Sequence, residues 1–409
     1  MSGFAYANLF AAGVPAAQPR WTGFPKYNFI GGHNDPVHVP AAELAAAASA
    51  ALKGGGETLA LYNADGPQGL KALREFVAAK VTARGIAASA GDVLITSGSG
   101  QAIDLVNRLL LRRGDTVVIE EFTYGGALTK LQRLGVKVVG TPLDDNGIRI
   151  DGLARVLGDL AKKGTKPKYI YTIPTIQNPT GSVMPLARRR ELLALSAEHG
   201  VPIFEDECYA DLLWEGEAPP AIYSLDPARV IHIGSFSKTL SPALRLGYAV
   251  ADWEAMSRLV TLKRETDSGT GALDQMLVAE YFSRSFDPHV AELNGVLKEK
   301  LATMVEAVER EFGTAAELWR PKGGIFLWLK LPDAIDVRKL VAPAAKAGIA
   351  FNPGPEWACD GEAAKSHMRL CFALPSKEEI RAGVAALAQV CFEETGIPER
   401  GANLRRGAR

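Results

Sequence analysis

The sequence predicts an α/β protein: a large domain with a mostly parallel sheet flanked by helices, followed by a smaller α/β domain. Three observations carry this expectation. The chain has 409 residues, room for two to three domains at about 150 residues each. Up to about residue 260, short apolar runs alternate with amphipathic stretches, the pattern of β-α-β crossovers. From Asp287 the texture changes to a long helical period and then to a second set of short apolar runs.

Residues 1 to 42 are aromatic and punctuated by Gly and Pro, with little periodicity. Val93–Thr96, Thr116–Glu120, Val136–Val139, Tyr169–Ile173, Val201–Glu205 and Val230–Ile233 read as buried strands, because strands covered on both faces are continuously apolar. Helical patterns lie between the earlier ones. In Leu70–Val81 the apolar residues Leu70, Leu73, Phe76, Val77 and Val81 share a face, and Gly85 marks a stop soon after. Arg245–Val250 follows Ile233 so closely that it is expected to break the parallel pattern. Pro288 reads as a helix start, with Val290, Leu293, Val296, Leu297, Leu301, Met304, Val305 and Val308 keeping the i, i+3, i+4 period. Ile325–Leu331, Ile349–Phe351 and Met368–Phe372 then read as strands of the smaller domain, and the arginine-bearing end from Arg400 to Arg409 as a solvated tail.

Composition narrows the function. Lys plus Arg is 46 and Asp plus Glu is 46, so no basic surplus exists to meet nucleic acid or an anionic membrane. No apolar run approaches the roughly 20 residues of a membrane span. The start, Met1 to Val14, lacks the cationic lead of a signal peptide. Cys208, Cys359, Cys371 and Cys391 show neither a disulfide framework nor metal spacing, so reduced thiols, no metal and a cytoplasmic location are expected.

The chemistry concentrates in Gly234-Ser-Phe-Ser-Lys-Thr-Leu-Ser-Pro-Ala-Leu-Arg-Leu-Gly247. A buried strand runs into two serines, a lysine and, seven residues later, an arginine. Burial and a nearby fixed cation disfavour an ammonium, which frees Lys238 as an amine for Schiff-base chemistry. Ser235, Ser237 and Arg245 suit a phosphate, with Arg245 offering planar donors. Thr96-Ser-Gly-Ser-Gly-Gln-Ala-Ile-Asp104 leaves a strand and opens a helix, whose free N–H groups, with the Ser99 hydroxyl, also suit a phosphate. Phe204-Glu-Asp-Glu-Cys-Tyr209 puts carboxylates at the end of a parallel strand, where ligand crevices lie. Arg369, in a short apolar strand, needs an anion, which either a substrate α-carboxylate or a structural salt bridge would supply.

The pattern S-x-S-K-x-x-x-P-x-x-R-x-G resembles the lysine site of fold-type I pyridoxal-phosphate-dependent aminotransferases, class I/II, and the resemblance extends from about Phe29 to Phe372. Within that class the texture resembles the 2-aminoadipate and aromatic amino-acid group. The resemblance implies the aspartate-aminotransferase-like fold and a cofactor, pyridoxal 5'-phosphate, in Schiff-base linkage to Lys238. By match, Ser99, Gly100 and Gln101 hold the phosphate, Asp206 pairs with the ring nitrogen, and Tyr209 and Asn178 reach the ring hydroxyl. Tyr124 stacks on the ring, while Arg369 and Asn178 bind the substrate carboxylate. Gly31 and Gly32 match a glycine pair over the substrate. Tyr62 matches a tyrosine that crosses to a partner's phosphate, which implies a homodimer. In the 2-aminoadipate group an arginine on an N-terminal element receives a distal carboxylate; Arg20, in an N-terminal segment with Phe4, Tyr6, Phe10, Trp21, Phe24, Tyr27 and Phe29, is either that arginine or a solvated loop residue.

The expected division is an N-terminal segment 1–45 covering the site, a large cofactor-binding domain 46–286 and a small domain 287–409. The expected activity is ping-pong transamination between an L-amino acid and a 2-oxo acid such as 2-oxoglutarate. A second reading keeps the cofactor for a β-lyase, racemase, decarboxylase or amino-acid oxidase. A third is a ligand-sensing regulator domain; the regulators that this chain resembles carry a winged-helix domain first, for which Gly31 comes too early.

Overall fold

The computed structural model describes residues 5–11 and 13–398; Phe4 and the tail from Arg400 to Arg409 lie outside them. Seven strands form the main sheet, in the order Val93–Thr96, Gly247–Val250, Val230–Ser235, Ile203–Asp206, Ile170–Thr172, Thr116–Glu120 and Lys137–Thr141. The last five pair in parallel. Gly247–Val250 is antiparallel to both neighbours, since residues 236–246 are too short for a crossover of about a dozen or more.

All seven strands except the edge strand Lys137–Thr141 are buried at every position, which is why they read as unbroken apolar runs. Successive side chains serve opposite faces: Val117 and Ile119 pack with Leu94, Leu105 and Leu259, while Val118 packs with Leu73, Val77 and Phe282. The helices Gly125–Leu134 and Leu186–His199 stop at Gly135 and Gly200, both left-handed, a conformation glycine adopts without a Cβ penalty.

The texture change at Asp287 is not a helix start. One helix runs from Ala272 to Phe312, with Pro288 inside it. Proline removes one backbone bond and costs about 3 kcal/mol. Here Val278 and Phe282 are buried against the large domain, and Leu297, Leu301, Met304 and Val308 against the small-domain core. Each such side chain contributes roughly 1.5–3 kcal/mol, so packing on both halves outweighs the lost bond. The expected boundary at residue 287 therefore falls within a continuous helix.

The smaller sheet is antiparallel, in the order Glu317–Trp319, Phe326–Lys330, His367–Cys371 and Asn352–Pro353. The expected strand at Ile349–Phe351 does not join it. Ile349–Ala350 pairs in parallel with Tyr27–Asn28, Tyr27 N–H donating to Gly348 O and Phe29 N–H to Ala350 O. The N-terminal segment is thus stitched to this part of the chain, and Phe29 is buried in its core. The final helix, Lys377–Thr395, opens with a capping box between Ser376 and Glu379, which satisfies two otherwise free N–H groups.

Candidate active site

The carboxyl ends of the parallel strands face the smaller sheet across a cavity of about 630 Å³. From the large sheet come Asp206, ending Ile203–Asp206, and Ser235, ending Val230–Ser235. Tyr124 and Asn178 arrive on the loops that follow Thr116–Glu120 and Ile170–Thr172. Lys238, Ser99, Gly100, Tyr209, Ser237, Arg245 and Gly32 line the same cavity, and Arg369 closes it from the smaller sheet.

Lys238 Nζ donates to Gly32 O at 2.7 Å. A Cβ on Gly32 would lie 2.3 Å from that nitrogen, so any side chain there would push the lysine tip aside. Burial brings the ammonium down to about 8, and the cations Arg369 and Arg245 add to the shift while Cys371 and Cys208 oppose it. Arg245, the cation expected from the sequence, therefore contributes, but burial is the larger cause.

Asp206 is buried and forms no ion pair among the described residues. Its Oδ2 accepts from Tyr171 OH at 2.7 Å and its Oδ1 from Cys208 N–H at 3.1 Å. Burial pushes its carboxyl up, against the pull of these donors. A cationic ring nitrogen placed beside it would stabilise the charge that burial disfavours. The neighbouring Glu207 points the other way, as strand alternation requires, toward Thr175 Oγ1 at 2.8 Å, Arg189 and Arg84.

A second group of donors lines the same cavity. Gly98, at φ +78°, turns the chain into the helix Ser99–Leu110, and a Cβ there would meet the Arg245 guanidinium. Arg245 itself is left-handed and reaches Ser97 O at 3.3 Å and Pro242 O at 3.1 Å. With the Ser99, Ser235 and Ser237 hydroxyls these donors fit a phosphate.

Arg369 sits between two aromatic faces, its Cζ 3.6 Å from the Phe326 ring centroid and 3.4 Å from that of Trp357. Nη1 donates to Asn178 Oδ1 at 3.0 Å, and Nη2 to Asn352 Oδ1 at 2.7 Å and Gly31 O at 3.3 Å. Its Nε and Asn178 Nδ2 are buried with no partner among the described residues. Orphaned donors of this kind are costly, and an anionic ligand would satisfy both.

Two expected residues, Gln101 and Arg20, are not brought to the cavity, and Tyr62, expected at a partner's phosphate, lies outside it as well. The Gln101 amide turns away to Asp267 Oδ2 at 2.7 Å, and its carbonyl oxygen accepts from Lys263 Nζ and Ser97 N–H. Its backbone N–H is also spent, on Gly98 O. Tyr62 is 90% exposed, and Arg20 lies exposed in a stretch without regular structure. Conversely, Phe326 reads from sequence as small-domain packing, yet it lines the cavity, as do Trp357, Asn352 and Cys208. A buried arginine demands flat faces and acceptors, and that demand is the signal for all but Cys208.

The comparisons with known proteins agree with this geometry. A family model described as aminotransferase class I and II matches residues 32–387. The 2-aminoadipate transaminase of Thermus thermophilus is 35% identical over 366 residues, 88% of this chain and 89% of the relative. Aromatic-amino-acid aminotransferase 1 of Thermococcus litoralis is 35% identical over 305 residues, 74% of this chain and 73% of the relative. Among solved structures, α-aminoadipate aminotransferase LysN of Thermus thermophilus, complexed with N-(5'-phosphopyridoxyl)-L-leucine, matches with a TM-score of 0.82 and 34% identity, over 89% of this chain and 91% of that one. With the anion cradle, the buried carboxylate and the accessible amine in one cavity, this chain belongs to the class I and II aminotransferases, pyridoxal-phosphate-dependent enzymes that transfer an amino group between an amino acid and a 2-oxo acid.

Proposed function

We propose that the chain is a homodimeric, cytoplasmic aminotransferase of broad substrate range, related in specificity to the 2-aminoadipate and aromatic group, with 2-oxoglutarate as amino acceptor. The observation that carries this reading is the convergence of Lys238, Asp206, Asn178 and Arg369 on one cavity. Pyridoxal phosphate, when bound, supplies an electron sink for negative charge developing on the substrate Cα.

The chain's own residues would do the rest. Ser99, Gly100, Ser235, Ser237 and Arg245 would hold the phosphate, Tyr124 would pack on the ring, and Tyr209 and Asn178 would serve the ring hydroxyl. Asp206 would stabilise a proton on the ring nitrogen. Lys238 Nζ, its ammonium brought down to about 8 by burial, would bind the cofactor and serve as the general base for the Cα proton. Arg369 and Asn178 orient the α-carboxylate with the donors that the protein leaves unspent. Gly32, in a segment read as covering the site, lets the backbone approach the reacting nitrogen.

An exposed apolar patch supports the dimer. Leu52, Leu59, Leu61 and Leu273 are exposed on neighbouring segments that meet where Thr58 contacts Met276, close in sequence to Tyr62, and exposed apolar residues gathered in this way mark protein contacts. A partner covering them would bring Tyr62 to its own phosphate site. No helix of the described residues is long and apolar enough to cross a membrane.

A panel of amino acids tests the reading. Each is mixed with the holoenzyme, and loss of the cofactor's visible absorbance is followed before and after adding 2-oxoglutarate. Glutamate, 2-aminoadipate and aromatic amino acids are expected to bleach the absorbance, and 2-oxoglutarate to restore it. Release of ammonia or carbon dioxide without restoration would assign the chain to lyase or decarboxylase chemistry instead.

A further inference from the structure

We infer that Glu120 is a positioning residue for the substrate-carboxylate site: through Gln177 it holds the turn that carries Asn178 where Asn178 braces Arg369. This rests on the reading of Asn178 and Arg369 given above. Glu120 ends the strand Thr116–Glu120 and is fully buried. No cation pairs with it among the described residues. Instead Oε1 accepts from Thr172 Oγ1 at 2.6 Å and Ile173 N–H at 3.0 Å, and Oε2 accepts from Gln177 Nε2 at 2.9 Å.

Gln177 is the hub of the turn. Its Nε2 also donates to Phe122 O at 2.7 Å, and its Oε1 accepts from Thr180 N–H and Thr180 Oγ1, both at 2.8 Å. Its backbone N–H donates to Ser182 O, and its carbonyl accepts from Gly181 N–H. The next residue is Asn178, whose Oδ1 receives Arg369 Nη1. Phe122 packs on Trp328, the cross-strand partner of Arg369. Glu120 therefore joins the ends of two parallel strands to the turn and, through it, to the smaller sheet.

The donor pattern requires a carboxylate. Both oxygens face N–H groups that cannot accept, so a glutamine at 120 would set an NH2 against another donor. Gln177 cannot turn its amide over in response without giving up its bonds with Thr180 N–H and Phe122 O. Burial pushes the Glu120 carboxyl up to about 7, against the lowering effect of its donors, so the group is costly to bury and its bonds to the turn account for its place.

The test is a double-mutant cycle on the holoenzyme with Glu120→Gln, Asn178→Ala and both together. It reads KM and kcat for the most active amino acid of the panel, the pH midpoint of the bound cofactor's visible absorbance, and the thermal midpoint. Glu120→Gln is expected to raise KM about tenfold, the effect of one misplaced hydrogen bond, with a smaller change in kcat and a shifted absorbance midpoint. Asn178→Ala is expected to move the same quantities further, and the double variant to match it, because positioning acts only through Asn178. Effects that simply add, or a Glu120→Gln variant altered only in thermal midpoint, would overturn the inference. An Asn178→Ala variant with unchanged KM and absorbance would overturn the carboxylate-site reading beneath it. Should Glu120→Gln not yield folded protein, Gln177→Met removes the same link without burying a second donor, and the same non-additivity with Asn178→Ala is expected.

Discussion

Replacing Arg369 by Lys keeps the positive charge and removes the plane, which separates the two things this residue offers. Of its five N–H groups, three are committed to Asn178, Asn352 and Gly31; a carboxylate on the Nε–Nη2 edge would take the free Nε–H and the Nη2 N–H now 3.3 Å from Gly31 O. An ammonium has three donors in all. After the contacts to the two asparagines it retains one for a substrate, so a carboxylate loses one of two charged hydrogen bonds, about 1.5–3 kcal/mol. That corresponds to a roughly ten- to hundredfold fall in kcat/KM. Burial brings the guanidinium down to about 10, so it is still a cation at neutral pH, and the comparison is between two charged groups. The assay is stopped-flow absorbance of the amino-donor half-reaction, with phenylalanine and with 2-phenylethylamine, which has the same ring and no carboxylate. The phenylalanine rate should fall by this factor and the slow amine rate should hold within about twofold. An equal fall for both would show that Arg369 supports the cavity wall between Phe326 and Trp357 without reading the carboxylate.

Asp206→Asn keeps shape and removes the anion, so the half-reaction should slow by about a hundredfold or more while the cofactor dissociation constant changes far less; equal losses would mean that Asp206 only holds the cofactor. For Lys238, the reactive form is the neutral amine, which dominates above its value of about 8. At pH 7 about one-tenth of it is neutral, against about one in three thousand for an ordinary lysine. Capture of pyridoxal phosphate by the apo-protein should therefore rise about tenfold per pH unit below 8 and level off above it. A rate still climbing with that slope to pH 10 would remove burial as the cause of reactivity.

The large sheet was legible because its strands are buried on both faces. Val93–Thr96 and Thr116–Glu120 have no solvated position to blur the run, so their ends can be read to the residue. The edge strand Lys137–Thr141, partly solvated, shifted by one residue at its start. The first half of the helix Ala272–Phe312 was not legible, since Pro288 carries a start signal that packing on both sides overrides. Nor was the pairing of Tyr27–Asn28 with Ile349–Ala350, two residues long and joined across most of the chain. In the site, Lys238 and Asp206 follow strand ends that the apolar runs mark, whereas Asn178 came from the resemblance alone; all three line the cavity. Gln101 could not be placed, because Asp267 and Lys263, which hold its side chain, are remote in sequence. The aromatic clamp on Arg369 likewise comes from Phe326 and Trp357, on separate segments, each of which alone reads as ordinary packing.

The helix Ala272–Phe312 also acts as a lever arm. From Pro288 to Phe312 it extends about 36 Å at 1.5 Å per residue, and its far end is embedded in the core that includes Met368 and Leu370, the neighbours of Arg369 on its strand. Proline is where helices bend most readily. A rotation there of about 5° would carry the distal end by about 3 Å, the width of a water molecule. A small change of angle at one residue is thus magnified at the end of the helix that packs beside the strand of Arg369.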